Sequence, residues 1–128
     1  MEVLTSRLLL RPTDLERSRA FYRDALGLAI AREFGTGPTR GTVFFLGGGL
    51  LELSGSSADP PAAASTQLWL QVRDVAAAHR ELAARGVAVL RPPVREPWGL
   101  VEMWVADPDG LRIAVVEVPE DHPLRSRP

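Results

Sequence analysis

Glu52 stands in the run Leu50-Leu51-Glu52-Leu53-Ser54, flanked by Leu51 and Leu53 in a short apolar strand pattern. A carboxylate in such a setting must be paired with a cation, held protonated or used in chemistry. Used, it would be a general base; paired, it would be one half of a structural ion pair. Glu102, in Val101-Glu102-Met103-Trp104, poses the same question. The partners that matter are Arg7, Arg112 and Gln67, because a guanidinium can neutralise a carboxylate or hold an anionic oxygen, and an amide can orient a polar ligand. Trp69, Trp98 and Trp104 offer flat surfaces for stacking a planar ligand, although core packing is tryptophan's usual fate.

Other chemistries are closed. The chain contains no cysteine and its fifteen basic residues are all arginine. Thiolate ligands, disulfides, thiol nucleophiles and lysine Schiff bases are therefore excluded. No G-x-S-x-G element or Walker-type phosphate loop occurs. The two histidines, His79 on a helical stretch and His122 in a polar tail, do not suggest a shared metal site. His79 reads as a helix-surface residue and His122 as solvated.

Length and charge narrow the setting. A chain of 128 residues with 45% hydrophobic content suits one domain. A net charge of −1 with scattered arginines lacks the basic stripe of a nucleic-acid binder. There is no run of about 18 apolar residues and no leader-like start, so the expectation is a cytoplasmic protein that does not meet a membrane.

The elements that position these residues repeat. Leu8, Leu10 and Asp14 recur sixty positions later as Leu68, Leu70 and Asp74. Each copy reads as a strand, a helix N-cap, a helix and a glycine stop at Gly27 or Gly86. Thr13 with Glu16 has the form of a capping box in the first copy, and Asp74 suits the N-cap of the second. Three strand patterns follow in each: 28–34, 41–47 and 50–55, then 87–93, 100–106 and 111–118. Breaks fall at Gly35–Pro38 and at the Gly47-Gly48-Gly49 hairpin, then at Pro92-Pro93, Pro97-Trp98-Gly99 and the turn Asp107-Pro108-Asp109-Gly110. The expected class is α+β: two βαβββ modules in one chain, forming a curved mixed sheet around a central cavity with the helices outside. Module one spans 4–54, a Pro- and Ser-rich linker 55–66, module two 67–118 and an aperiodic tail 119–128, all in a single domain. The tail is expected to fray or to serve as an arm on a partner.

Strand alternation sorts the faces. Leu8, Leu10, Leu51, Leu53, Leu68, Leu70, Met103, Val105, Ile113 and Val115 go beneath the helices. Arg7, Glu52, Gln67, Trp69, Glu102, Trp104, Arg112 and Ala114 then face the hollow, with Trp98 in a loop at its mouth.

The stretches "DLERSRAFYRDALGL", "LLELSG", "PWG" and "DPDGLRI", set in a doubled βαβββ pattern over Leu4 to Val118, resemble the glyoxalase/bleomycin-resistance/extradiol-dioxygenase superfamily, the vicinal oxygen chelate proteins. The resemblance implies four metal-ligand positions, which fall on Arg7, Glu52, Gln67 and Ala114. Only Glu52 and Gln67 carry usable donors, short of the three or four that Zn or Fe sites use. No cofactor is therefore expected, a divalent metal being the disfavoured alternative. The expectation is a small-molecule-binding protein similar to drug-sequestering, bleomycin-resistance-like members, its ligand a small organic molecule of aromatic or anionic character. Arg7, Glu52, Gln67, Trp69, Trp98, Glu102, Trp104 and Arg112 are its candidate ligand-binding residues. The resemblance also implies a homodimer and a role in antibiotic resistance. The alternative is a glyoxalase-like lyase, isomerase or dioxygenase, either metal-dependent through Glu52 and Gln67 or metal-free with Glu52 as general base and Arg7 stabilising an oxyanion.

Overall fold

Helix starts and stops are set by single residues, and the doubled pattern follows from them. The computed structural model describes residues 1–59 and 65–126 and divides the chain into two compact units, Met1–Pro60 and Pro61–Pro128. Of the expected linker 55–66, residues 60–64 lie outside the described residues, as do the last two of the tail.

In the first unit β1 (Arg7–Leu10) leads to α1 (Leu15–Ala20), which one wider π turn extends over Phe21–Ala25. Then come β2 (Ile30–Phe34), β3 (Gly41–Leu46) and β4 (Gly49–Ser54). The helix N-cap is Asp14, whose carboxylate accepts from the Arg17 N–H at 3.1 Å. This corrects the capping box expected from Thr13 and Glu16: Thr13 Oγ1 instead accepts from the Arg17 guanidinium at 3.1 Å. The sheet order is β1-β4-β3-β2, with β1 and β4 parallel and the other pairs antiparallel. Tyr22, Phe44, Leu51 and Leu53 are fully buried, and the Tyr22 and Phe44 rings lie 6.2 Å apart, so the core fills the face beneath the helix.

The second unit repeats this order. It runs β5 (Gln67–Val72), α2 (Val75–Ala84), β6 (Val89–Arg95), β7 (Val101–Ala106) and β8 (Arg112–Glu117), with sheet order β5-β8-β7-β6. Asp74 caps α2 by accepting from the Ala77 N–H at 3.0 Å, as expected. The Val75 N–H donates to Glu117 at 3.0 Å, which ties the helix start to the end of β8. Gly27 and Gly86 end the helical segments at φ of 72° and 77°, a conformation that costs glycine nothing. The β7–β8 turn closes on Asp107, whose Oδ1 accepts from the Asp109 and Leu111 N–H groups, each at 2.9 Å. Each unit is thus one helix-backed, four-stranded mixed sheet, and the α+β class with two βαβββ modules holds.

Two elements depart from expectation. Pro92 and Pro93 do not end a strand; β6 runs through them to Arg95 with register shifts on either side of Arg91. As the edge strand of its sheet, β6 leaves the missing proline N–H groups without a ladder partner to disappoint. The tail is not frayed where described. A short helix α3 (Pro123–Ser126) follows β8, Arg125 Nε donates to the Val118 carbonyl at 2.6 Å, and His122 is not simply solvated. Its Nε2 lies 3.0 Å from the Trp98 carbonyl while its Nδ1 accepts from the Leu124 N–H at 3.2 Å. That pair of partners selects the tautomer with the proton on Nε2. No helix among the described residues is long and apolar enough to cross a membrane.

Candidate functional site

In the first unit β4 alternates cleanly. Leu51 and Leu53 go under the helix, so Glu52 emerges on the other face, where it is in register with Leu9 of β1 and Val43 of β3. Arg7, two residues before Leu9, reaches back to it. Its Nη1 donates to Glu52 Oε1 at 2.7 Å, while Ser54 Oγ donates to Oε2 at 2.8 Å. Both carboxylate oxygens are therefore engaged. The hydrogen bond from Arg7, then that from Ser54, holds the Glu52 carboxyl below the ordinary glutamate value of 4.5; burial opposes this and the charges of Arg7 and Arg32 assist it.

A group whose folded-state pKa is depressed stabilises the fold above its unfolded value and loses that contribution as pH falls through the folded one. Arg7→Gln is accordingly expected to cost about 1 kcal/mol at pH 7 and to flatten the loss of stability on acidification below about pH 4.5. The magnitude stays well below the roughly 3–5 kcal/mol of a fully buried broken pair, because the Arg7 side chain is 43% exposed and screened by water. Urea unfolding at pH 7 and pH 3.5 checks it; equal losses at both would remove the pair from the account.

In the second unit the face away from α2 is built in rows. Trp69, Ala114, Trp104 and Arg91 are in register across β5, β8, β7 and β6, and Gln67 pairs with Arg112 in the adjoining row. Ala114 is 2% exposed and joins Leu100, Val116 and Val118 in a small cluster against which Trp104 packs. The Arg91 and Arg112 guanidinium carbons lie over the Trp104 ring, 3.6 and 4.5 Å from its centroid. Arg91 is also ion-paired with Glu96 and donates to the Glu102 carbonyl at 3.2 Å. Glu102 is buried, and its carboxylate accepts from Trp98 Nε1 at 2.8 Å. Trp69 is 47% exposed, and Gln67 is exposed.

The candidate residues thus fall into three groups. Arg7 joins Glu52; Trp98 joins Glu102; and Trp69, Trp104 and Arg112 gather around Ala114, with Gln67 beside Arg112. Arg91 is a member of this face that strand alternation does not reveal. It follows Val89 by two, so strict alternation would send both to one face. The register shift between them puts Val89 opposite Val105 and Arg91 opposite Trp104, on opposite faces. Only the proline pair that follows hints at such an irregularity. Nothing local to His122 reveals that the tail returns to Trp98.

The four positions expected to ligate a metal do not fit one. Arg7 has no lone pair and brings a fixed positive charge. Glu52 already satisfies that cation and a hydroxyl, and Ala114 carries no donor under the packed Trp104 ring. Of the three polar ones, Gln67 alone has no side-chain partner among the described residues. Among the described residues no three His, Asp or Glu side chains are grouped to hold an ion.

No curated protein matches the chain in sequence. Solved structures do. A protein of unknown function from Agrobacterium tumefaciens str. C58 is 27% identical, with 93% of this chain and 95% of that one covered and a TM-score of 0.74. TnmS3, an antibiotic binding protein from Streptomyces sp. CB03234, is 24% identical over 92% and 98%, with a TM-score of 0.77. A superfamily member from Sphaerobacter thermophilus DSM 20745 is 24% identical over 91% and 98%, at 0.74. The two lower identities speak to the fold alone. The model that matches residues 5–115 spans both βαβββ units, and with it the chain belongs to the Glyoxalase/Bleomycin resistance protein/Dioxygenase superfamily.

Proposed function

We propose that this chain is a small-molecule-binding protein that sequesters a planar organic ligand and works without a bound metal. One observation carries the reading: at the positions to which the resemblance assigns metal ligands, a guanidinium holds the carboxylate of Glu52 and an alanine sits in a cluster packed against the Trp104 ring. A frame altered in this way keeps a shaped surface and gives up Lewis-acid chemistry. The fold is shared with TnmS3, an antibiotic binding protein, which supports a binding role. The low-lying Glu52 carboxyl argues against its use as a general base, because a carboxylate stabilised by two hydrogen bonds takes up a proton reluctantly. We further propose a cytoplasmic homodimer; light scattering of the purified protein tests the dimer.

Trp69 is the stacking surface. Trp104, beneath two guanidinium groups, is the less accessible ring and serves as the support beside it. A thermal-shift screen with planar aromatic natural products and with divalent metals tests the reading, since a ligand at 100 times its dissociation constant adds about 2.7 kcal/mol to stability. Stoichiometric Zn, Ni, Mn or Fe in protein purified without chelator would overturn the metal-free reading. For any aromatic binder found, Trp69→Ala is expected to weaken affinity about tenfold, and Trp69→Phe much less. The unliganded melting temperature should scarcely move, because Trp69 is already half-exposed. Affinity unchanged in Trp69→Ala would remove that face from the site.

A further inference from the structure

We infer that the aromatic face of the second unit selects a planar organic anion, with Arg112 as the residue that reads the negative charge. The inference rests on the binding function proposed above and names the class of ligand.

It follows from accounting for every charge on that face. Arg91 is committed: Glu96 neutralises it, the Glu102 carbonyl takes one of its N–H groups, and its Nε is buried beyond reach. Glu102 is buried and receives the Trp98 N–H. Arg112 is different. Among the described residues it has no carboxylate, carbonyl or hydroxyl partner, and its one contact is with the face of the Trp104 ring. An interaction with a π face supplies no acceptor, so the guanidinium fork keeps its capacity for a bidentate oxyanion. The Trp104 contact also limits where that fork can go, which lowers the cost of ordering it around a ligand.

Gln67 and Arg112 are register partners on neighbouring strands, and Trp69 and Ala114 form the next pair on the same face. Neighbouring strands lie about 4.8 Å apart, and residues two apart on one strand lie about 6.7 Å apart. A ring stacked on the half-exposed Trp69 would therefore bring a carboxylate or phenolate substituent within reach of Arg112, with the exposed Gln67 amide alongside to donate a second hydrogen bond. A cationic substituent at that place would meet an unneutralised guanidinium.

The test uses three probes of one shape: 2-naphthoate, ionised at pH 7.5; neutral 2-naphthamide; and the cation 2-naphthylmethylammonium. Calorimetric titration of the full chain at low salt is expected to rank them in that order, the anion about tenfold tighter than the amide. Added salt should narrow the gap. Arg112→Gln should bring the anion down close to the affinity of the amide, with a much smaller loss for the amide itself. Arg112→Lys, which keeps charge but loses the planar fork, should fall between and guards against a folding defect in the first variant. Equal binding of all three probes, abolished by Trp69→Ala, would overturn charge selection and leave the aromatic site standing. A preference for the anion that survives in Arg112→Gln and disappears in Arg7→Gln would overturn it by moving the anion to the first unit. If no probe binds, both the selection and the aromatic site fall.

Discussion

Ala114→Glu is expected to lower the unfolding free energy by about 3 kcal/mol or more and to create no metal site. The substitution puts a carboxylate at a position that the resemblance alone assigns to a metal ligand, in a place with no room for it. Ala114 is 2% exposed and packed with Leu100, Val116, Val118 and the Trp104 ring. The four heavy atoms added beyond Cβ would have to displace the indole, and overpacking of this kind costs about 1–3 kcal/mol before any charge is considered. The carboxylate then adds the cost of leaving water. Arg112, two residues back on the same face, offsets part of that cost, and the comparison with Ala114→Gln isolates the charge from the volume. Urea unfolding at pH 7 and metal analysis of the purified variant are the measurements. A variant as stable as the parent would show that the space beside Trp104 is open, and one that retains a stoichiometric divalent ion would overturn the expectation that no metal site forms.

Ile113→Ala is expected to cost about 3–4 kcal/mol, and Ile113→Val about 1 kcal/mol. Ile113 has no exposed surface, and its register partners Leu68 and Val105 are buried with it on the face beneath α2. Because side chains alternate along β8, the packing of Ile113 is also what turns Arg112 and Ala114 toward the opposite face. The alanine variant should therefore weaken 2-naphthoate binding as well as stability, whereas the valine variant should leave binding intact. Urea unfolding midpoints and calorimetry read the two effects. A stability loss under about 1 kcal/mol would mean that Ile113 is not in a packed core, and the assignment of Arg112 to the ligand-binding face would fail with it.

Much of this architecture was legible from residue order. The sixty-residue echo of Leu8, Leu10 and Asp14 announced a doubled module, and the repeated helix–Gly pattern located both helices, with Asp74 the expected cap of the second and Asp14, not Thr13, the cap of the first, because caps and stops act within three or four residues. Alternation placed Leu51 and Leu53 on one side and Glu52 on the other, as it placed Ile113 against Arg112 and Ala114. Arg7 could be matched with Glu52 as soon as β1 was laid beside β4. The same local logic failed where the decisive contact was not local. The π turn of the first helix, the bulges around Arg91 and the passage of β6 through two prolines all depend on what the neighbouring strand tolerates.

Composition and spacing therefore decided the class of fold, the faces of its strands and the types of side chain available for chemistry, because hydrophobic period and capping are short-range effects. Packing decided the rest: which cation is neutralised and which has no acidic partner among the described residues, which indole is covered and which is open, and that the tail returns to Trp98 through His122. Two arginines of identical chemistry, Arg91 and Arg112, differ only in what the fold places beside them. Charge pairing acts over a few ångströms of space rather than a few residues of chain, so no reading of one strand at a time could tell them apart.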